Sequence, residues 1–120
     1  MAALLAALAL VLAPPPTSLR IAVWPQGMPG AKHVTTLQCS PPSGGYEFPA
    51  AVCKRLLAFQ TNPFLPVPPG IACSQIVSGP EEALVTGTYR GRRTWARFNR
   101  RDSCQTDRWN RLSFLFVPSA

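Results

Sequence analysis

The chain is 120 residues long, room for one domain with a single modest core. Its 14 prolines and 8 glycines exclude a helical bundle, and a hydrophobic fraction of 47% excludes a disordered chain. Twelve basic residues against five acidic give a net charge of +7.

Met1 to Ala13 is an apolar run of Ala, Leu and Val followed by Pro14-Pro15-Pro16. It is shorter than the ~20 residues that span a bilayer and stands where a secretory signal stands. Residues 1–16 are therefore expected to be a signal peptide and 17–120 the exported domain, with no membrane association once the signal is removed.

Ser18 to Val23 alternates weakly before Trp24-Pro25-Gln26-Gly27, a first strand ending in a turn. Val34 to Gln38 is rich in β-branched residues and ends at Cys39, a second strand. Ser40 to Gly45 reads as a Pro/Gly/Ser loop. Pro49 to Phe59 reads as a helix, with Pro at its first position and Val52, Leu56 and Phe59 on one face. Asn62 to Gly70 holds four prolines and is a stiff linker.

Ile71-Ala72-Cys73-Ser74-Gln75-Ile76-Val77-Ser78-Gly79-Pro80 has a cysteine near one end, a Gly-Pro turn at the other and no helical period. It reads as an exposed, extended loop tethered at its root. Ala83 to Tyr89 and Arg92 to Phe98 are strands joined by Arg90-Gly91, a hairpin. Asn99 to Asp107 reads as a polar connection and Arg111 to Val117 as a closing strand.

The four cysteines, Cys39, Cys53, Cys73 and Cys104, include no CxxC pair, and His33 is the single histidine. Two disulfides fit better than a metal site, and no metal or other cofactor is expected. Of three possible pairings, the sequential one, Cys39 to Cys53 and Cys73 to Cys104, closes the shortest loops. In the chain-entropy model these bridges contribute roughly 3 and 3.7 kcal/mol. With Cys53 on the helix, the first bridge staples helix to sheet, and the second ties the loop to the segment between the last two strands. The compartment should be oxidising.

Ten of the basic residues are Arg, six of them between Arg90 and Arg101. Such a cluster either binds an anionic polymer or is a solvated face. An exported protein rarely meets nucleic acid, so no nucleic-acid partner is expected. Enzymatic activity is not expected either: the thiols are committed, His33 is alone, and Glu47, Glu81, Glu82, Asp102 and Asp107 form no recognisable pair.

Several of these features occur in a familiar order. Val34-Thr35-Thr36-Leu37-Gln38-Cys39, a Pro-Ser-Gly loop, a cysteine on a helix and Cys73 opening a loop come first. Val85-x-Gly87-x-Tyr89-x-Gly91, Cys104 and a terminal Phe-x-Phe follow. Together they resemble the Streptomyces subtilisin inhibitor family over about Leu19 to Val117. The resemblance implies an α+β fold: a five-stranded antiparallel sheet with one or two helices packed on it and two sequential disulfides. It also implies a homodimer formed through the sheets and inhibition of extracellular subtilisin-like serine proteases.

Aligned on Cys73, the family's reactive bond falls between Gln75 and Ile76, with Ala72, Cys73, Ser74, Val77 and Ser78 completing the protease-contact loop. Asp102 stands where the family has an asparagine that supports the loop backbone. The chain departs from the family pattern at Ser74, where proline is common, at Ala72, where a larger apolar residue is usual, and at Gly79, an extra residue before Pro80. Gln75 offers no positive charge to a trypsin-like pocket and no ring to a chymotrypsin-like one, whereas subtilisin-like pockets are broad. Two alternatives are a secreted basic module that uses the Arg90–Arg101 hairpin against an anionic partner, and an inhibitor of a different protease class on the same scaffold.

Overall fold

The computed structural model describes residues 15–117. The expected signal peptide lies outside the described residues except for Pro15 and Pro16, and the Pro16 carbonyl accepts from Gly91 N at 2.8 Å.

Five strands form one antiparallel sheet: β1 (Ser18–Trp24), β2 (His33–Cys39), β3 (Pro42–Gly44), β4 (Glu82–Tyr89) and β5 (Arg92–Phe98). Their spatial order is β3-β2-β1-β4-β5, so β1 lies at the centre, between β2 and β4. Among the described residues three helices accompany the sheet: α1 (Pro49–Leu57), α2 (Ser103–Arg111) and α3 (Ser113–Phe116). The expected α+β architecture is thus present, with three helices where one or two were expected.

The period-2 pattern sends Leu19, Ile21 and Val23 of β1, Ala83, Val85 and Tyr89 of β4, and Ala96 and Phe98 of β5 to one face. There they meet Leu56 of α1, Trp109 of α2, and Leu112, Leu115 and Phe116 in and beside α3. Phe116 stands at the centre of the aromatic part of this core, 4.5 Å from Trp109 and 5.1 Å from Phe98, ring centre to ring centre. Two phenols are buried with their hydroxyls satisfied. Tyr46 donates to the Leu115 carbonyl at 2.7 Å and Tyr89 to the Leu56 carbonyl at 3.3 Å.

Both disulfides form in the sequential pairing, Cys39 to Cys53 and Cys73 to Cys104. The first joins the end of β2 to α1, as expected. The second ends on α2, not on a connection between strands, because the chain after Asn99 differs from expectation. Ser103–Arg111 is helical where a polar connection was expected. Asp102 caps the helix through its carboxylate, which accepts from Gln105 N at 2.8 Å.

Residues 113–116 are helical where a closing strand was expected. Alternation would bury Leu112, Phe114 and Phe116. The buried set is instead Trp109 of α2, Leu115 and Phe116 of α3, and Leu112 at the junction of the two helices, a helical rather than an alternating spacing. The fifth strand is β3, within the segment read as a loop; its three residues are all exposed and pair only with β2.

The Arg90-Gly91 turn has positive φ at both residues, 49° and 81°, the geometry of a type I′ hairpin. Arg90 N is held by Thr17 Oγ1 at 3.0 Å, and the Arg90 guanidinium donates to the Leu57 carbonyl at the end of α1.

Candidate functional site: the Ile71–Pro80 loop

Residues 71–79 have no regular secondary structure, and the segment enters and leaves the body at two fixed places. The entry is set by the proline-rich segment and Arg108 of α2. This guanidinium donates to the Leu65 carbonyl at 2.9 Å and the Phe64 carbonyl at 3.0 Å, reaches the Arg97 carbonyl of β5 at 2.5 Å, and lies 4.0 Å above the Phe98 ring. One side chain thereby fastens linker, helix and sheet. Burial lowers its pKa, and among the described residues no carboxylate accepts from it, so three carbonyl dipoles and an aromatic face carry the charge.

Next comes the covalent anchor, Cys73 to Cys104 in the first turn of α2. The following residue, Ser74, is bonded twice to Ser103: its N–H donates to Ser103 Oγ at 2.9 Å, and its carbonyl accepts from Ser103 N at 2.9 Å. Four residues later Ser78 N donates to the Arg100 carbonyl at 2.8 Å. Gln75, Ile76 and Val77 project between these attachments, with Ile76 68% and Val77 65% exposed. The Gln75 amide makes a long contact, 3.4 Å, with the Cys73 carbonyl.

The exit is held by charge. Glu81 pairs with Arg100 and Glu82 with Arg101, the two ion pairs among the described residues. Glu82 also accepts from Met28 N at 2.9 Å, bringing in the β1–β2 connection. Gly27, at φ +83°, lies so close to Pro80 that a Cβ there would stand 2.9 Å from the Pro80 carbonyl oxygen.

All the expected loop residues, Ala72, Cys73, Ser74, Gln75, Ile76, Val77 and Ser78, therefore lie on one continuous segment, and each except half-buried Cys73 is exposed. Asp102 stands next to the loop but spends its carboxylate on the helix cap. The residues that grip the loop backbone are Ser103 and Arg100, which sequence reasoning did not single out. For Ser103 a signal existed in the Asp102-x-x-Gln105 spacing of a helix start, since that places the residue before Cys104 at the exposed first turn. For Arg100 none did, because it acts through its carbonyl.

The six-arginine cluster also divides. Arg100 and Arg101 belong to the loop's exit, whereas Arg90, Arg92, Arg93 and Arg97 are on the β4–β5 hairpin and its turn. Cys73, Asp102 and Cys104 have ligand atoms within 4.8 Å of one another, but the two sulfurs are bonded to each other, so the group offers a single carboxylate. Among the described residues no helix is long and apolar enough to cross a membrane.

Comparison with protein-family models and with curated proteins finds no match for this sequence.

Proposed function

We propose that the protein is a secreted inhibitor of subtilisin-like serine proteases, binding as a substrate through Gln75-Ile76. The observation that carries this reading is the pair of attachments around three projecting residues: Ser74 to Ser103 on one side, Ser78 to Arg100 on the other.

A protease cleft accepts an extended strand, and a ligand already held extended loses little conformational entropy on binding. Cleavage between Gln75 and Ile76 would leave both new ends attached. The acyl side stays bound through the Cys73 to Cys104 bridge and Ser103. The amine side stays bound through Ser78 and the Glu81 and Glu82 ion pairs. The new amine then remains beside the acyl-enzyme at high effective concentration, and religation outruns hydrolysis. Each copy carries a complete loop, so the mechanism does not require the homodimer that the family resemblance implies.

The two disulfides fit an oxidising, extracellular destination. Where proline would stiffen the residue before Gln75, Ser74 is fixed instead by two hydrogen bonds, which offsets that departure from the family pattern.

The register is tested by Gln75→Lys. A lysine entering a trypsin-like primary pocket should turn a protein that leaves trypsin active into one that inhibits it, read by residual trypsin activity against added protein. Unchanged trypsin activity with the variant would place the reactive bond elsewhere.

A further inference from the structure

Gly79 and Glu81 interlock. A Cβ on Gly79 would overlap Oε1 of Glu81 and stand 3.0 Å from its carboxylate carbon, so the Glu81 side chain folds back into the space that any other residue at 79 would fill. From there its second oxygen, Oε2, pairs with the Arg100 guanidinium. The Arg100 carbonyl in turn accepts from Ser78 N at 2.8 Å. A ring thus closes from Ser78 along the chain to Glu81, across the ion pair to Arg100, and back to Ser78.

The ion pair in this ring is partly shielded from water. Glu81 and Arg100 expose 26% and 27% of their side chains, and Glu81 lines an apolar cavity of about 250 Å³ together with Ile21, Val23, Trp109, Leu115 and Phe116. Charges attract more strongly beside such a wall than in open water. Among the described residues nothing accepts from the buried Nε of Arg100, so the Glu81 carboxylate is what compensates this guanidinium. Without it the guanidinium would turn toward water and carry the 99–101 backbone with it, and with that the carbonyl that holds Ser78.

We propose that Glu81 is the positioning residue for the amine side of the loop: seated in the space left by Gly79, it holds Arg100 and through it Ser78, and so governs how often the cut bond is resealed. The inference rests on the inhibitor reading. After cleavage the Gln75 acyl group is esterified to the protease's serine, and Ile76 carries a free amine. Resealing forms the Gln75-Ile76 amide, breaks the ester bond and leaves the amine's proton on the serine oxygen. Water attacking the same ester gives the Gln75 carboxylic acid and the same free serine. The two compete for one carbon, and the amine has the advantage only while Ser78, two residues along, stays fixed. Gly79, the extra residue before Pro80, thereby acquires a task.

The test combines amide hydrogen exchange at Ser78 with a subtilisin assay, on the disulfide-intact protein and on Glu81→Ala, Gly79→Ala and the double variant. Gly79 is not at positive φ, and the carboxylate that a new methyl would displace ends a flexible side chain, so Gly79→Ala should act through Glu81 and leave the unfolding midpoint nearly unchanged. Each single variant should exchange the Ser78 amide and be clipped at Gln75-Ile76 about threefold to tenfold faster. Association with subtilisin should change less than about twofold. The double variant should match Glu81→Ala alone, because its methyl then meets no carboxylate. Glu47→Ala, which removes an equal charge from an exposed site elsewhere, should change neither readout more than about twofold.

Unchanged Ser78 exchange in Glu81→Ala, additive losses in the double variant, or an equal effect of Glu47→Ala would overturn the inference while the parent protein still inhibits. Full subtilisin activity with the parent protein would overturn the inhibitor reading instead, and the exchange data would still decide whether Glu81 positions the loop.

Discussion

Ser103 makes two hydrogen bonds to one loop residue, and both are geometrically good at 2.9 Å. Its hydroxyl is the half that a mutation can remove. On the proposed inhibitor reading, Ser103→Ala should cost about 0.5–1.5 kcal/mol of loop order and appear as severalfold weaker inhibition with faster clipping. The unfolding midpoint should barely move, because the remaining bond from Ser103 N and the disulfide are unaffected. Equal inhibition by the variant and the parent protein would show that the hydroxyl does not position the loop.

The neighbouring Asp102 illustrates how far residue identity could be read from sequence. Its position next to the loop was legible from Cys104. Its task was not, because a carboxylate beside both a loop and a helix start can serve either, and the backbone turn at 102–105 decides. Gln75 and Ile76 were legible as exposed for a simpler reason: no periodic pattern gave them a buried face.

At the scale of elements, the strands β1, β2, β4 and β5 and the helix α1 could be placed within one or two residues, since each carries either period-2 alternation or a clear start signal. The end of the chain could not. Leu112, Phe114 and Phe116 alternate, and Trp109, Leu112, Leu115 and Phe116 are helically spaced. Leu112 and Phe116 satisfy both periods, and the Asp102 cap marks the start of α2 but not of α3, which has no side-chain cap of its own. Strand β3 left almost no trace, for three exposed residues including a proline bury no face.

Its pairing depends instead on Gly44, where a Cβ would stand 2.1 Å from the Thr36 carbonyl oxygen. Gly87 is constrained in the same way within β4: at φ +126°, an added Cβ would stand 2.2 Å from the Ser18 carbonyl oxygen on the central strand. Gly87→Ala should therefore force β1 and β4 apart and cost about 3 kcal/mol, near the upper end for a strained backbone position. Gly70→Ala, also at positive φ but with open space around the new methyl, should cost about 1 kcal/mol. Urea unfolding of the two variants measures the difference, and equal losses would mean that the close approach at Gly87 relaxes freely.

For the molecule as a whole, stability should depend on pH at the alkaline end. Burial raises the pKa of the Tyr46 phenol well above its ordinary value, and burial likewise raises that of Tyr89, opposed in part by the nearby Arg90 charge. A group whose folded pKa is raised contributes stability that is fully present below its unfolded value, near 10, and lost as the pH climbs above it. The unfolding free energy should thus hold level on this account up to about pH 10 and fall beyond. Tyr46→Phe should flatten part of that decline while lowering stability near neutrality through the lost bond to Leu115. A decline of the same steepness in Tyr46→Phe would assign the alkaline loss to other groups.

The loop, too, is held by the whole molecule. Linker, sheet, helix α2 and the β1–β2 connection all converge on it through Arg108, the Cys73 to Cys104 bridge, Arg100 and Glu82, so its shape is a property of the fold and not of ten residues. The most direct test of the inhibitor proposal is a tight-binding titration of subtilisin with the disulfide-intact protein, followed by mass spectrometry of the complex. The predicted result is a stoichiometric end point with slow cleavage confined to the Gln75-Ile76 bond. Full subtilisin activity in the presence of excess folded protein, or rapid cleavage at several bonds, would contradict it.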